Sequence, residues 1–517
     1  IMNPNICSSQ GCRTISRRQF MSNCYGCAAL GAATLMGARC SATRARNAKT
    51  IRVIYSLHDT VQPRPDWPNV GFDFAPVMQQ FNSALSESCP DFTFLPIQAK
   101  GAEEAERILA EDQSADVFGY IVFQMNCWNR VIQTIVTSGK PVLYVDFQYG
   151  GSGGFLVYNA AFMRENASNV GFVASSDMDD LVRAVQCFDN IKTPQEFAAA
   201  TMRMRQKRTP KPRRHEITPD ALITLSPEDC LSRMRESKIL AVKDQNSGQV
   251  DPIFDIPMER IAFAEVNAAW ERADKEESQA VAERWRNGAE SVIDVPFETL
   301  ESSAAFYLGM KEVLQQHNAN AITINCLGGF YGGHIHAYPC LGFHELNNEG
   351  LVGACECDTR STATMVAFTH LTQGRPGYIS DPVIDTAKRQ IIYAHCVASN
   401  KVFGPSGPEN PYSIMTHSED RQGASVRSIL PLGYMTTTLE IMPQTKEILF
   451  HQGVAVENDP DDRACRTKLG VEPVGDIEKL FTMWDRCGWH RVTFYGDLKE
   501  PVYALADLMG WTVVEEA

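Results

Sequence analysis

Ala354-Cys355-Glu356-Cys357-Asp358 is an apolar run that ends in two carboxylates at i and i+2. Read as the end of a strand, it sends both to one side, at the carboxyl edge of a sheet where open α/β folds hold ligands. Tyr378-Ile379-Ser380-Asp381-Pro382 repeats the pattern 25 residues after Glu356, with Asp385 just beyond. That interval is the length of one strand–helix–strand unit, so the two strands are expected as parallel neighbours with Glu356 and Asp381 side by side. Facing carboxylates repel unless one is protonated or a cation bridges them. A hard divalent ion with oxygen ligands removes the repulsion; the plainer reading is a pair of solvated strand-end caps.

The elements that must position these groups are legible as alternating periods. Apolar runs at residues 51–57, 92–97, 117–123, 141–147 and 170–174 read as strands, and amphipathic stretches at 74–86, 102–110, 128–138 and 178–188 read as helices. Strands separated by helices imply a parallel sheet covered on both faces, hence a doubly wound N-terminal α/β domain over residues 49–195. A Lys/Arg- and Pro-rich stretch at 193–219 reads as a linker. A second α/β domain, 220–397, is expected to contain one long charged helix at 258–287 and to carry the metal carboxylates. From 398 to 517 the texture turns to Gly, Pro, Thr and short β-type runs, which predicts a β-rich, barrel-like C-terminal domain. The fold class expected is therefore α/β, with two doubly wound parallel-sheet domains and a barrel-like third.

A third feature lies in that last domain: Cys487-Gly488-Trp489-His490-Arg491-Val492-Thr493-Phe494-Tyr495-Gly496-Asp497. With A-x-E-x-D before a helix, a strand ending in Asp about 25 residues on, and a late His opening a strand, the chain resembles the L-fucose isomerase and L-arabinose isomerase-like sugar isomerases from Ile51 to its end. The resemblance implies a manganese or other divalent ion held by Glu356, Asp381 and His490, with coordination positions left for substrate. It implies an aldose–ketose isomerase that moves a proton between C1 and C2 of an open-chain deoxyhexose or pentose through a cis-enediol, Glu356 and Asp381 exchanging the proton. It also implies a homo-oligomer, trimer or hexamer. His395, His417 and Trp489 are expected as substrate contacts. This chain departs from the family pattern at Cys355 and Cys357 around the Glu and at Trp489 before the His. The rival reading is an exported sugar-binding protein on the same fold that no longer turns over.

Other constellations are weaker. His334 and His336, with His344 and Glu345 nearby, have ligand spacing for zinc, against the plainer reading of a pocket-lining or exposed loop. The Gly150-Gly151-Ser152-Gly153-Gly154 run lacks the Lys-Ser/Thr of a P-loop and reads as a flexible connection. The first strand's exit, Ser56-Leu57-His58-Asp59-Thr60, has no G-x-G-x-x-G, which disfavours a dinucleotide. His417-Ser418-Glu419-Asp420 has no G-x-S-x-G elbow beside it, which disfavours hydrolysis. Cys465-Arg466-Thr467-Lys468 offers cations near a substrate or a surface loop.

A net charge of −14 without a basic patch in the body excludes nucleic acid as a favoured partner. The 16 cysteines are spread out, Cys24 and Cys27 form an isolated C-x-x-C, and most thiols read as small buried hydrophobes. No acidic residue precedes Asp59, while Ser16-Arg17-Arg18-Gln19-Phe20-Met21 and an apolar run from Tyr25 to Gly37 match a twin-arginine signal over residues 1–48. That run is too short to span a bilayer of about 30 Å, so no stable membrane insertion is expected. The protein is expected in the periplasm or otherwise exported, and in the cytoplasm if the signal does not work.

Overall fold

Residues 48–165, 167–243 and 247–517 are described by the computed structural model. The expected twin-arginine segment lies outside them. Strands β1 (Lys49–Ser56), β2 (Phe92–Ala99), β3 (Val117–Gln124), β4 (Val142–Asp146) and β5 (Val170–Val173) form an all-parallel sheet in the order β2-β1-β3-β4-β5. Every residue of β4 and β5 is buried, as strands covered by helices on both faces must be. The glycine-rich run expected as a flexible connection instead opens a helix, Ser152–Arg164. A Cβ on Gly151 would collide with the Gln124 backbone and one on Gly153 with the Trp489 ring, so the glycines let this helix approach β3 and the third domain closely. The expected 193–219 linker is half helix. Thr193 caps Pro194–Arg208 by accepting from Glu196 N–H, and Arg205 lies over the Phe172 ring while its Nη2 donates to Glu478 at 2.6 Å.

The second sheet draws on β6 (Ile239–Lys243), β7 (Gly248–Ile253) and β8 (Ile256–Ala262). β9 (Ser291–Ile293) leaves it for a small separate sheet, and β10 (Ala321–Ile324) and β11 (Val352–Ala354) complete the order β11-β10-β6-β8-β7. All pairings but the edge hairpin β7–β8 are parallel. With the hairpin strand set aside, both sheets run 2-1-3-4, so each has a topological switch point, between β1 and β3 and between β6 and β10. The single helix expected at 258–287 is corrected: its first residues belong to β8, and two helices follow, Phe263–Arg272 and Lys275–Gly288. The break falls where Asp274 caps the second helix by accepting from Glu277 N–H at 2.8 Å.

The third layer is a closed barrel. β12 (Tyr378–Asp385) and β13 (Gln390–His395) form a hairpin; β14 (Tyr412–Met415) and β15 (Ser425–Ser428) join β9 in the small sheet; β16 (Met435–Met442), β17 (Glu447–Asn458), β18 (Thr467–Pro473) and β19 (Arg491–Tyr495) complete the barrel. Its order is β16-β19-β12-β13-β18-β17, closed by a β16–β17 pairing and antiparallel throughout, with β20 (Thr512–Glu515) added parallel to β17. Closure removes the exposed strand edges. Here the expected parallel pairing of the Glu356 and Asp381 strands is overturned. β12 lies in the barrel between β13 and β19, not beside β11. A connection of only Thr386–Arg389 returns the chain to β13, and so short a link can join only antiparallel strands. Among the described residues no helix is long and apolar enough to cross a membrane.

Arg491 and Glu516 fix the start of β19. Their side chains are 0% exposed, and the guanidinium donates from Nη2 to Oε1 at 2.6 Å and from Nε to Oε2 at 3.1 Å. Burial opposes the Glu516 charge, but Arg491 and His451 hold its pKa down to about 2. Glu516→Ala, which strands the guanidinium, is expected to cost about 3–5 kcal/mol, measured by denaturant unfolding; a loss under about 1 kcal/mol contradicts it. The folded pKa is depressed, so the pair's stabilisation is in place above the ordinary glutamate range and lost as pH falls toward about 2.

Candidate active site

β11 stops at Ala354, and the chain then turns sharply instead of continuing as a strand. Glu356 and Cys357 both take left-handed backbone conformations, φ +65° and +52°, each strained for a residue with a Cβ. Cys357 N–H donates to Ile324 O at 2.9 Å, pinning the turn to the end of β10. Asp358 caps the helix Thr359–Leu371, accepting from the Arg360 and Ser361 N–H groups. The i, i+2 strand geometry expected for Glu356 and Asp358 is therefore corrected: the turn separates them, one aimed into a cleft and the other occupied at a helix terminus.

Asp381 sits inside β12 with both neighbours hydrogen-bonded, not at a strand end. His395, on the paired strand β13, places Nδ1 3.2 Å from Asp381 Oδ2, and the Trp489 indole N–H donates to Oδ1. His490 directly precedes β19. Its Nε2 lies 3.1 Å from Asp381 Oδ1 and 3.5 Å from Glu356 Oε2, and its Nδ1 lies 3.0 Å from Asp358 Oδ2. Three groups far apart in the chain thus meet, one from the second parallel sheet and two from the barrel.

The donor set fits a divalent cation. The Nε2 atoms of His490 and His395 are buried without a hydrogen-bond partner, and Glu356, His395 and His490 each offer a ligand atom within 4.8 Å of the others. Asp381, His395 and Cys465 form an overlapping group. Mixed carboxylate and imidazole donors suit manganese, iron, cobalt or zinc. His395, expected as a substrate contact, stands inside this donor set. Electrostatics agree: burial raises the Glu356 pKa, and Asp381 raises it further against the pull of His490. Burial also opposes the Asp381 charge, but His395 and His490 hold its pKa well below the usual range. His490 is driven in the other direction, its pKa raised well above the ordinary value against burial by Glu356, Asp358 and Asp381, and the proton this retains is the one a bound cation would displace. A carboxylate on the far side of the ring from the free Nε2 orients it as second-layer partners orient metal-binding histidines.

The cluster lies at the floor of a cleft of about 730 Å³. Both switch points open into it: His58 follows β1 and Trp128 follows β3, while Leu327 and Gly328 follow β10. Trp489 forms a wall with Trp67 and Trp128, ring centroids 6.3 and 5.3 Å away. Aromatic faces of this kind pack against the C–H face of a sugar. Glu419 also faces the cleft, accepts from Tyr331 Oη at 2.7 Å, and is raised by burial to about 8. Sequence analysis weighed His58 and Glu419 only for a dinucleotide and a hydrolase, both disfavoured, and did not single out Trp67 or Trp128. Only His58 and Trp128 carried a signal, their place just beyond the carboxyl ends of the first and third strands.

Other expected residues fall elsewhere. His417 is buried outside the cleft lining, its Nδ1 3.3 Å from Asp420 Oδ1 and its ring against Phe330. His334 and His336 are exposed; His334 stacks on Phe263 and His336 meets Trp270 edge to face. His344 is a core residue whose Nδ1 meets Ala398 O at 2.7 Å, and Glu345 accepts from Arg284 and Trp285. The four thus form no common donor set. Lys468 and Arg466 are buried on backbone carbonyls, whereas Cys465 Sγ lies 3.8 Å from Asp381 Oδ2. All the described cysteines but Cys187 are buried, as small hydrophobes.

No family model matches the chain. Curated relatives are similar to it at low identity. The sulfoquinovose isomerase of Clostridium sp. (strain MSTE9) is 24% identical over 237 residues, 44% of this chain and 50% of that protein. The sulfoquinovose isomerase of Alkalicoccus urumqiensis is 29% identical over 220 residues, 42% and 49% respectively, and that of Priestia aryabhattai 23% over 216 residues, 41% and 47%. The chain spans about half the length of the curated relatives it matches. The relatives bear the name of a sugar isomerase, the class that the sequence resemblance implies.

Proposed function

We propose that this protein is a metal-dependent aldose–ketose isomerase of the fucose isomerase-like type, acting on a free monosaccharide. The observation that carries the proposal is the convergence of Glu356, Asp381 and His490, with His490 Nε2 bare between the two carboxylates. The similarity to sulfoquinovose isomerases supports the reaction class and adds a sulfonated hexose to the deoxyhexose or pentose expected from sequence.

Glu356, Asp381 and His490 would hold the ion, with His395 in reach as a further donor. A bound divalent cation supplies Lewis acidity toward adjacent sugar oxygens. The protein's own groups do the rest. Glu356, whose pKa burial raises, takes the C2 proton of the aldose and returns it to C1 while the hydroxyl proton passes from O2 to O1, so that the carbonyl ends at C2. Asp381, held ionised by two imidazoles and the Trp489 N–H, keeps its charge fixed beside the developing enediol. Asp358 fixes the tautomer and tilt of His490. The tryptophan wall holds the sugar face and excludes water from the reacting carbons.

Elemental analysis of Glu356→Gln, Asp381→Asn and His490→Ala is expected to show loss of the bound divalent metal found in the wild type, and aldose–ketose turnover followed by NMR is expected to fall by about 10²–10⁴-fold or more. Chelation of the wild type should abolish turnover and added manganese restore it. Full metal content in all three variants, or sugar binding without metal-dependent turnover, rejects the proposal; the second result favours a non-catalytic sugar-binding protein.

Gly153→Ala tests the wall. A methyl at this position occupies the space of the Trp489 ring and must displace it from Asp381, lowering kcat/KM by about 10²-fold with a change in tryptophan emission. Unaltered kinetics would show that the indole position is immaterial.

A further inference from the structure

Aldose–ketose interconversion moves two protons, one from C2 to C1 and one from O2 to O1. Glu356 carries the first. The second needs a group that gives a proton to one oxygen and takes one from its neighbour, with an atom free toward the substrate.

Five carboxylates line the cleft: Asp66, Glu356, Asp358, Asp381 and Glu419. Three have both oxygens occupied. Asp66 accepts from Trp67 N–H at 2.8 Å through Oδ1, and its Oδ2 lies 2.7 Å from His58 Nε2. Asp358 Oδ1 accepts from the Arg360 and Ser361 N–H groups, while its Oδ2 accepts from Ser361 Oγ and faces His490 Nδ1. Asp381 has Oδ1 taken by Trp489 and His490, and Oδ2 lies 3.2 Å from His395 Nδ1. The His58 imidazole is engaged as well, with Nε2 on Asp66 and Arg64 Nη2 at 3.5 Å from both ring nitrogens. With Glu356 committed to carbon, the carboxyl that remains is Glu419.

Glu419 lies in the loop between β14 and β15, which closes on itself through His417 N–H to Gln422 O at 2.7 Å and Arg421 N–H to His417 O at 3.1 Å. Its backbone carbonyl accepts from Val70 N–H at 2.7 Å, which ties it to the segment that carries Trp67. From the end of the helix Cys326–Tyr331, the Tyr331 hydroxyl donates to Glu419 Oε2 at 2.7 Å. That bond leaves Oε1 to hold a carboxyl proton. Oε1 has no hydrogen-bond partner among the described residues and opens to the cleft. Burial raises the pKa to about 8, Asp66 and Glu356 adding to it and His417 and Tyr331 opposing, so the neutral acid is available near neutral pH.

We infer that Glu419 is a second catalytic residue, the carrier of the hydroxyl proton. Its Oε1–H protonates O1 of the aldose as Glu356 takes the C2 proton and the C1–C2 double bond forms, giving the enediol. As Glu356 returns its proton to C1, Oε1 takes the proton of O2 and C2 becomes the carbonyl. Glu419 ends neutral, as it began, and no further reactant is consumed. The inference rests on the isomerase reading above and adds a residue to it.

The test follows L-fucose, L-arabinose and 6-deoxy-6-sulfoglucose with the manganese-loaded protein in D2O by NMR, which reads ketose formation and deuterium entering C2 of the recovered aldose separately. In Glu419→Gln, ketose formation from whichever sugar the wild type converts is expected to fall about 10²-fold or more, while KM, manganese content and thermal melting stay close to wild type. Exchange at C2, which needs only Glu356, is expected to fall less, so that deuterated aldose per ketose rises. Added formate is expected to restore part of the turnover in Glu419→Ala, where it fits the vacated space, and none in Glu419→Gln. Undiminished ketose formation in Glu419→Gln, or equal loss of exchange and ketose formation without formate rescue of Glu419→Ala, overturns the inference and leaves the isomerase reading standing. A wild type that converts none of the three sugars overturns both.

Discussion

Glu356, Asp358 and Asp381 crowd around one imidazole, and holding those three negative charges at the floor of a cleft is the constraint on which the other features of the site depend. Burial and mutual repulsion both favour protonation or separation. The fold prevents separation by drawing the groups from rigid elements in different sheets: Glu356 from a strained turn, Asp358 from a helix cap, Asp381 from the interior of a barrel strand. What remains is compensation by positive charge, from His490 and His395 in the protein alone and from a dication in the proposed enzyme.

The same need explains why the barrel is more than a lid on two α/β domains. A parallel sheet delivers side chains at its strand ends, on loops. The barrel presents Asp381, His395 and His490 from strands β12 and β13 and the entry to β19, where ladder hydrogen bonds and the buried Arg491–Glu516 pair limit movement. Catalytic geometry tolerates errors of about half an ångström, and the closed barrel, paired on both sides of each strand, holds most of the donors. The switch points of the two parallel sheets contribute the cleft's walls.

Contacts between layers constrain the chain at otherwise unremarkable positions. Gly153 is required because the Trp489 ring fills the place of its side chain, and that ring in turn holds Asp381. A change in the first domain can therefore act on the Asp381 cluster in the third without touching it.

Short-range pattern was enough for much of this. The strands and three of the expected helices of the first domain follow from period and punctuation within about two residues, whereas the helix expected at 128–138 is only Val131–Val136 and Ser152–Arg164 was expected as a loop; composition turns to β texture from 398, although the antiparallel barrel already begins at Tyr378. The carboxylates and His490 were recognisable as chemistry because their neighbours form apolar strand-like runs. Partnership was not legible. The 25-residue interval from Glu356 to Asp381 suits a parallel unit equally well, and only the hairpin return through Thr386–Arg389 commits β12 to the barrel. Nor does local pattern show that Asp358 faces a helix terminus, that His395 joins the donors, that His417 lies outside the cleft, or that a glycine run is a helix beneath a tryptophan. Those outcomes belong to tertiary structure because propensity and periodicity act over a few residues, whereas pairing and charge compensation are set by groups that meet only when the sheets close around them.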